Sequence, residues 1–110
     1  MAYDEVLAAR IRTAIQDVPG VTEKKMFGGL AFLLNGNLAV AASGQGGLLL
    51  RVDPDETATL VREDGVDRFE MRGKAMDGWA RVDPSAVESE ESLERWVLVG
   101  VTYAGSLPPK

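Results

Sequence analysis

Glycine-rich turns divide the apolar middle of the chain into short runs, and no other feature of the sequence limits the fold as much. Between the first two runs, Asn-Gly-Asn at residues 35–37 supplies residues that tolerate a positive φ, as β-hairpin turns require. A second turn, at residues 43–47, leads into a run whose alternate residues Leu48, Leu50 and Val52 share one face. The pattern predicts an antiparallel meander of three sequential strands, at residues 26–34, 38–42 and 48–52.

Helices are predicted on both sides of this meander. Apolar residues at spacings of three and four make residues 2–18 an amphipathic helix, which ends at Pro19-Gly20. Residues 53–63 begin with an acid followed by proline, a pattern that favours the cap and first position of a short helix. A last helix is predicted over residues 89–104, because a serine cap is followed by two glutamates.

Two further extended stretches complete the predicted architecture. They are residues 68–71 and 79–82, and they flank a loop at residues 72–78. The resulting order, α-β3-α-β2-α, is typical of the α+β class rather than of an alternating parallel design. We predict one mostly antiparallel sheet with helices packed on it. The 110 residues are near the commonest size of one domain, so we expect a single domain over residues 1–110.

Composition removes most familiar catalytic chemistry. The chain has no His and no Cys, which excludes imidazole bases, thiolate nucleophiles and Cys/His metal sites. Acids collect at residues 53–56 and 88–94, where carboxylates could hold Mg²⁺ or act as an acid/base pair. Helix starts collect acids for dipole reasons alone, so we favour a capping role. We expect no enzyme, with no catalytic residue, no cofactor and no metal.

The charge balance and the start of the chain bear on partners and location. Twelve Lys+Arg against seventeen Asp+Glu give a formal net charge of -5, which opposes non-specific attraction to nucleic acid or an anionic membrane. The first residues carry acids where a secretory signal carries positive charge. The apolar stretches fall well short of the ~20 residues that span a membrane. We expect a cytoplasmic protein with no membrane partner.

The predicted last helix is apolar on more than one side. One stripe is formed by Leu93, Trp96, Val97, Gly100, Val101 and Ala104. Leu98, Val99 and Tyr103 make the opposite side apolar as well. A chain of this size cannot surround such a helix, so these three side chains would face water in a monomer. The pattern therefore predicts a homodimer.

A local basic surface is a second candidate for function. Interleaved cations and an indole can bind a phosphodiester chain by charge and stacking, or they can form a surface for a protein partner. The structural alternative is that Trp79 anchors the core while Arg81, on the same strand face, extends past it. We favour the structural alternative. The cations that would form the surface are Lys24, Lys25, Arg72, Lys74 and Arg81.

The glycine pair Gly28-Gly29 also has two interpretations. With Lys24 and Lys25 beside it, its backbone N–H groups could approach an anion. Phosphate-binding glycine loops normally lead into a helix, however, whereas this pair leads into another extended apolar run. We favour a β-bulge or close strand packing.

Two motifs resemble the TfoX/Sxy N-terminal-domain family. They are KKMFGG at residues 24–29 and RGKAMDGWARV at residues 72–82, followed by a closing helix that contains Trp96. The resemblance covers about residues 11–104 and implies a fold similar to secretion chaperones. The family takes its name from regulators of bacterial competence, which carry a further C-terminal domain, so we expect an N-terminal-domain-only protein. The motif residues that match are Phe27, Gly28, Gly29, Met76 and Trp79.

Together these observations predict a small cytoplasmic bacterial protein that acts as a dimeric interaction module or regulatory adaptor rather than as a catalyst. Its further partner would be a protein that the sequence does not identify. The alternative is a nucleic-acid-binding accessory protein that uses the local basic surface.

Overall fold

The computed structural model describes residues 3–26, 28–71 and 73–109. Within these residues the chain forms three α-helices and six strands in an α+β arrangement, as predicted. The helices are α1 (Glu5–Ala14), α2 (Thr57–Leu60) and α3 (Glu90–Ser106), and the strands are β1 (Val21–Met26), β2 (Gly29–Leu34), β3 (Asn37–Ala42), β4 (Leu48–Arg51), β5 (Val66–Met71) and β6 (Lys74–Val82).

The six strands form one sheet in the spatial order β1-β2-β3-β4-β6-β5. Every neighbouring pair is antiparallel, which confirms the predicted sheet type. The sheet has one strand more than the sequence predicted, because β1 was not recognised. This strand, of sequence VTEKKM, lies at an edge and is exposed at its four central residues. Because neither face of this edge strand is well buried, its sequence lacks the apolar alternation that marks a half-buried strand.

The structure differs from the predicted elements at two helices and one loop. Helix α1 ends at Ala14 rather than at residue 18, since Val18 N–H donates to the Ile15 carbonyl in a turn. The predicted helix over residues 53–63 is a 3-10 turn, Pro54–Glu56, followed by the single turn of α2. The predicted loop at residues 72–78 is mostly strand, because β6 begins at Lys74.

The main core lies between one face of the sheet and helices α1 and α3. Its fully buried side chains include Ile11, Phe32, Leu50 and Leu93. Gly100 allows α3 to approach β3 closely, because a Cβ at this position would overlap the carbonyl oxygen of Ala39. The helices are therefore packed on one side of the sheet only, and the other side is left to the strands.

Candidate interaction surfaces

The side of the sheet opposite the helices carries a second apolar cluster. Ala31, Leu38, Ala41 and Leu49 are buried there, with Met26, Leu33, Phe69 and Trp79 packed against them as partly buried neighbours. All eight residues lie on strands, and no described helix residue belongs to the cluster. We call this side the helix-free face. Among the described residues the strands themselves supply the burial, and the four partly buried side chains remain partly exposed at the surface.

The sheet register places the predicted cations relative to this face. Directly paired residues of antiparallel strands project from the same face. One row of such pairs crosses β1, β2, β3, β4 and β6, and it consists, in that order, of Lys24, Ala31, Ala41, Leu49 and Arg81. Lys24 and Arg81 therefore lie on the helix-free face, four strand spacings or about 19 Å apart. Lys25 pairs with Leu30 of the main core and projects from the opposite side.

Arg81 has a structural role at the β3–β4 connection. Its Nη2 donates to the carbonyl oxygens of Gln45 and Gly46, at 3.0 Å each. Its buried Nε has no hydrogen-bond acceptor among the described residues. The guanidinium therefore fixes the β3–β4 connection.

The predicted basic surface is not brought together. Lys24 and Lys25 project from opposite sides of an edge strand, and Arg81 is about 19 Å from Lys24. Lys74 is exposed at the start of β6, next to the turn of the β5–β6 hairpin. Arg72 lies outside the described residues. Of the four described cations, Lys24, Lys74 and Arg81 share the helix-free face but are spread across the sheet, so these four do not form the compact patch that the nucleic-acid interpretation requires.

Arg51 is a cation on this side that sequence reasoning missed. It pairs with Trp79 in the register of β4 and β6, and its guanidinium carbon lies 5.0 Å from the centre of the Trp79 ring. The same carbon lies 5.9 Å from the centre of the Tyr103 ring on α3. Such distances are typical of cation–π contacts. The pairing of β4 with β6 skips β5 in chain order, so spacing along the sequence could not reveal this cluster.

The family-motif glycines have structural roles. Gly28 has a φ of +74°, as a tight turn between β1 and β2 requires. A Cβ at Gly29 would overlap the carbonyl oxygen of Ala42 on β3. These observations support close strand packing over an anion site. Met76 is half-buried opposite Phe69, and Phe27 lies outside the described residues.

The outer side of α3 is less exposed than the sequence predicted. Leu98 is 63% exposed, but Val99 is half-buried against the main core. Tyr103 is also half-buried and lies beside Arg51. The prediction that all three side chains face water is therefore wrong for Val99 and Tyr103, because Val99 packs against the main core and the Tyr103 ring lies beside Arg51 at the end of β4.

Leu98 stands between two grooves. The first has a volume of about 210 Å³ and lies between α3 and the end of α1; its other lining residues are Ala14, Ile15, Val18, Glu94, Val97 and Val101. The second, of about 470 Å³, lies between α3 and the chain around the 3-10 turn. Its rim contains the charged residues Asp53, Glu56 and Arg95. The first groove, with Glu94 as its one charged lining residue, is the more apolar of the two.

The carboxyl groups whose pKa values are shifted lie in surface ion pairs and in a cap, and not in a cleft with paired acids. A hydrogen bond from Arg95 lowers the pKa of Glu63, and one from Arg12 lowers the pKa of Glu23. The pKa of Asp83 is lowered mainly by the hydroxyl of Ser85, which donates to its carboxylate at 2.7 Å. Among the described residues, no group of three or more acids, histidines or cysteines is placed to hold a metal ion.

None of the described helices is long and apolar enough to cross a membrane.

The fold and these surfaces define the class of protein: a small α+β domain whose antiparallel sheet carries helices on one side only. The family model described as the TfoX N-terminal domain matches residues 13–104, so the chain belongs to the TfoX N-terminal domain family. No curated protein and no solved structure matches the chain significantly.

Proposed function

We propose that the protein is a non-catalytic, homodimeric interaction module with a regulatory adaptor role in the cytoplasm. The resemblance to competence regulators implies a regulatory role. The absence of His and Cys from the sequence supports a non-catalytic role. Hydrogen bonds from Arg12 and Arg95 account for the lowered pKa values of Glu23 and Glu63, so these shifts do not point to a catalytic role.

The observation that carries the dimer is the position of Leu98 beside an apolar groove. Leu98 is a large exposed side chain, and it forms part of the wall of the groove between α3 and the end of α1. A two-fold contact joins the same patch on both copies. If the axis passes close to Leu98, each leucine enters the groove of the other copy. A projection and a matching depression on one patch make that patch self-complementary.

The charge pattern of α3 fits an antiparallel contact. No residue from 96 to 106 is charged, whereas Glu91 and Glu94 lie before this segment. In an antiparallel pair centred near Leu98, the acidic half of each helix faces the uncharged half of the other copy. Like charges are thereby kept apart. Burial of one exposed leucine contributes about 1.5–3 kcal/mol per copy before the costs of association.

Sedimentation velocity or light scattering at micromolar concentration tests the dimer. We expect a mass of two chains for the wild type. Leu98→Glu should raise the dissociation constant by about a hundredfold or more, because two copies of the contact are lost. Val6→Glu is the matched control: Val6 is 71% exposed, and it lies about 12 Å along α1 from Ala14. A monomeric wild type, or a variant Leu98→Glu that remains dimeric, would overturn the proposal.

A further inference from the structure

The helix-free face concentrates positive charge in an acidic chain. The register assigns to it four cations, Lys24, Arg51, Lys74 and Arg81. Lys74 is included because it is two residues before Met76, the partner of Phe69. The one carboxylate that the register of the described strands assigns to this face is Asp67, and Asp77, in the β6 bulge, is paired with Arg68 at 2.8 Å. The chain as a whole carries a formal net charge of -5.

The cations stand at the two ends of an apolar row. Ala31, Ala41 and Leu49 lie between Lys24 and Arg81 in one transverse row, with Leu33 and Trp79 beside it. The carbonyls that accept from Arg81 are neutral, but Asp67 pairs directly with Arg81 on this face, so the excess of positive charge comes from Lys24, Arg51 and Lys74. The separation of about 19 Å matches six residue steps of an extended chain, at about 3.3 Å per step. The three residues between Lys24 and Arg81 are at most 3% exposed, so side chains at alternate positions of such a chain would meet the half-buried Leu33 and Trp79 beside them.

We propose that the helix-free face binds an extended acidic segment of another protein. Two carboxylates six residues apart would meet Lys24 at one end and the Arg51–Arg81 side at the other, with aliphatic side chains between them. This inference extends the proposed adaptor role, because an adaptor needs a surface for a second protein. It does not depend on the dimer, which uses the opposite side of the molecule.

Two other occupants fit this face less well. A single-stranded nucleic acid needs open aromatic rings for its bases, whereas Trp79 is half-buried and already has Arg51 over its ring. A second copy joined by a two-fold axis would bring a cationic face against itself, which costs like-charge repulsion. An acidic segment with aliphatic side chains matches both the cations and the half-buried apolar side chains of this face.

The test uses a labelled, acetylated and amidated peptide ESLSLSE, whose glutamates are six residues apart and whose leucines share their side. Fluorescence anisotropy with the full chain at low salt should show saturable binding that weakens as salt rises. The peptide KSLSLSK should bind at least about tenfold more weakly. Lys24→Glu should weaken binding of ESLSLSE by about tenfold or more. Lys25→Glu, a neighbouring residue on the other side of β1, is the matched control and should retain wild-type affinity.

Three results would overturn the inference: equal binding of both peptides, equal loss in Lys24→Glu and Lys25→Glu, or no saturable binding of ESLSLSE. Oligo(dT) of fifteen nucleotides is titrated in parallel. If the oligonucleotide binds through Lys24 and the peptide does not, the face binds nucleic acid instead. The variant Leu98→Glu should bind ESLSLSE like the wild type, so failure of the dimer and failure of the peptide site are distinguishable.

Discussion

Neighbouring leucines on β4 have opposite surroundings. Leu50 lies in the main core, where its side chain is close to Gly100 of α3, and Leu49 lies on the helix-free face. Both are almost fully buried, at 0% and 3% exposed. The helix-covered face is closed by α1 and α3, whereas among the described residues the other face is closed by strand side chains that are themselves half-exposed. The exposed fraction of a residue therefore does not show whether a helix covers its side of the sheet.

The largest expected difference is between two identical substitutions on this strand. Leu50→Ala should lower the free energy of unfolding by about 3–5 kcal/mol, because its closed surroundings cannot collapse into the cavity. Leu49→Ala should cost about 2 kcal/mol, since the half-exposed neighbours can move and water can enter. Urea unfolding measures both. Equal losses would show that the two faces are packed equally well.

A second comparison uses two glycines of α3. Gly100→Ala should destabilise the protein by about 2 kcal/mol, because the new methyl group meets the backbone of β3 and forces the helix outward. Gly105→Ala is the control, since the nearest atom to its added Cβ is the flexible Leu34 side chain at 3.3 Å. That substitution should be neutral or stabilise by up to about 1 kcal/mol through helix propensity. Thermal and urea unfolding of the two variants would compare their free energies of unfolding. Equal values would show that the close approach of α3 to β3 at Gly100 does not limit stability.

Arg51 connects the edge of the helix-free face to α3. Arg51→Ala should cost about 1 kcal/mol, because the contacts with Trp79 and Tyr103 are lost together. The tryptophan emission should also change as the indole of Trp79 loses its cover. Arg62→Ala, at an exposed position after α2, is the control. An unchanged emission spectrum in Arg51→Ala would contradict the stacked geometry.

The smallest effect is expected from the surface ion pair of Glu63 and Arg95. The pKa of Glu63 is lowered in the folded state, mainly by the hydrogen bond from Arg95. Its contribution is therefore present above the unfolded pKa of about 4.3 and is lost as the pH falls through the lower folded value. Because both side chains are largely exposed, Glu63→Gln should cost only about 0.2–1 kcal/mol at neutral pH. The gap between variant and wild type should shrink towards pH 3 in urea titrations, and a constant gap would argue against an ionic origin.

The fold class was predictable because the turns carry distinct local signals. Asn35, with a φ of 52°, and Gly36, with a φ of 86°, form the hairpin turn that their residue types predict. Ser89 caps α3 by accepting from the N–H of Ser92. Strand β1 was missed because an edge strand needs backbone pairing but little apolar pattern, and VTEKKM has almost none.

The candidate surfaces were harder to predict because they depend on pairing between distant strands. The apolar character of both sides of β2 was visible in the sequence, and both sides are largely buried in the structure. Which cations border that side was not visible, because it depends on the placement of β4 next to β6. Spacing along the chain grouped Lys24 with Lys25, which the strand separates, and omitted Arg51, which the sheet brings to Trp79.

The contact of Gly100 with β3 has a consequence for assembly. Leu98 precedes Gly100 by two residues, which is a rotation of about 200° around a helix. Because Gly100 lies against the Ala39 backbone, rotation of α3 about its long axis is opposed, so the direction of Leu98 is set within a single chain. Association in the proposed dimer would then require little ordering of the helix that carries Leu98. The same backbone contact that orders the interior would then also set the geometry of the proposed dimer, and a change at Gly100 would disturb both together.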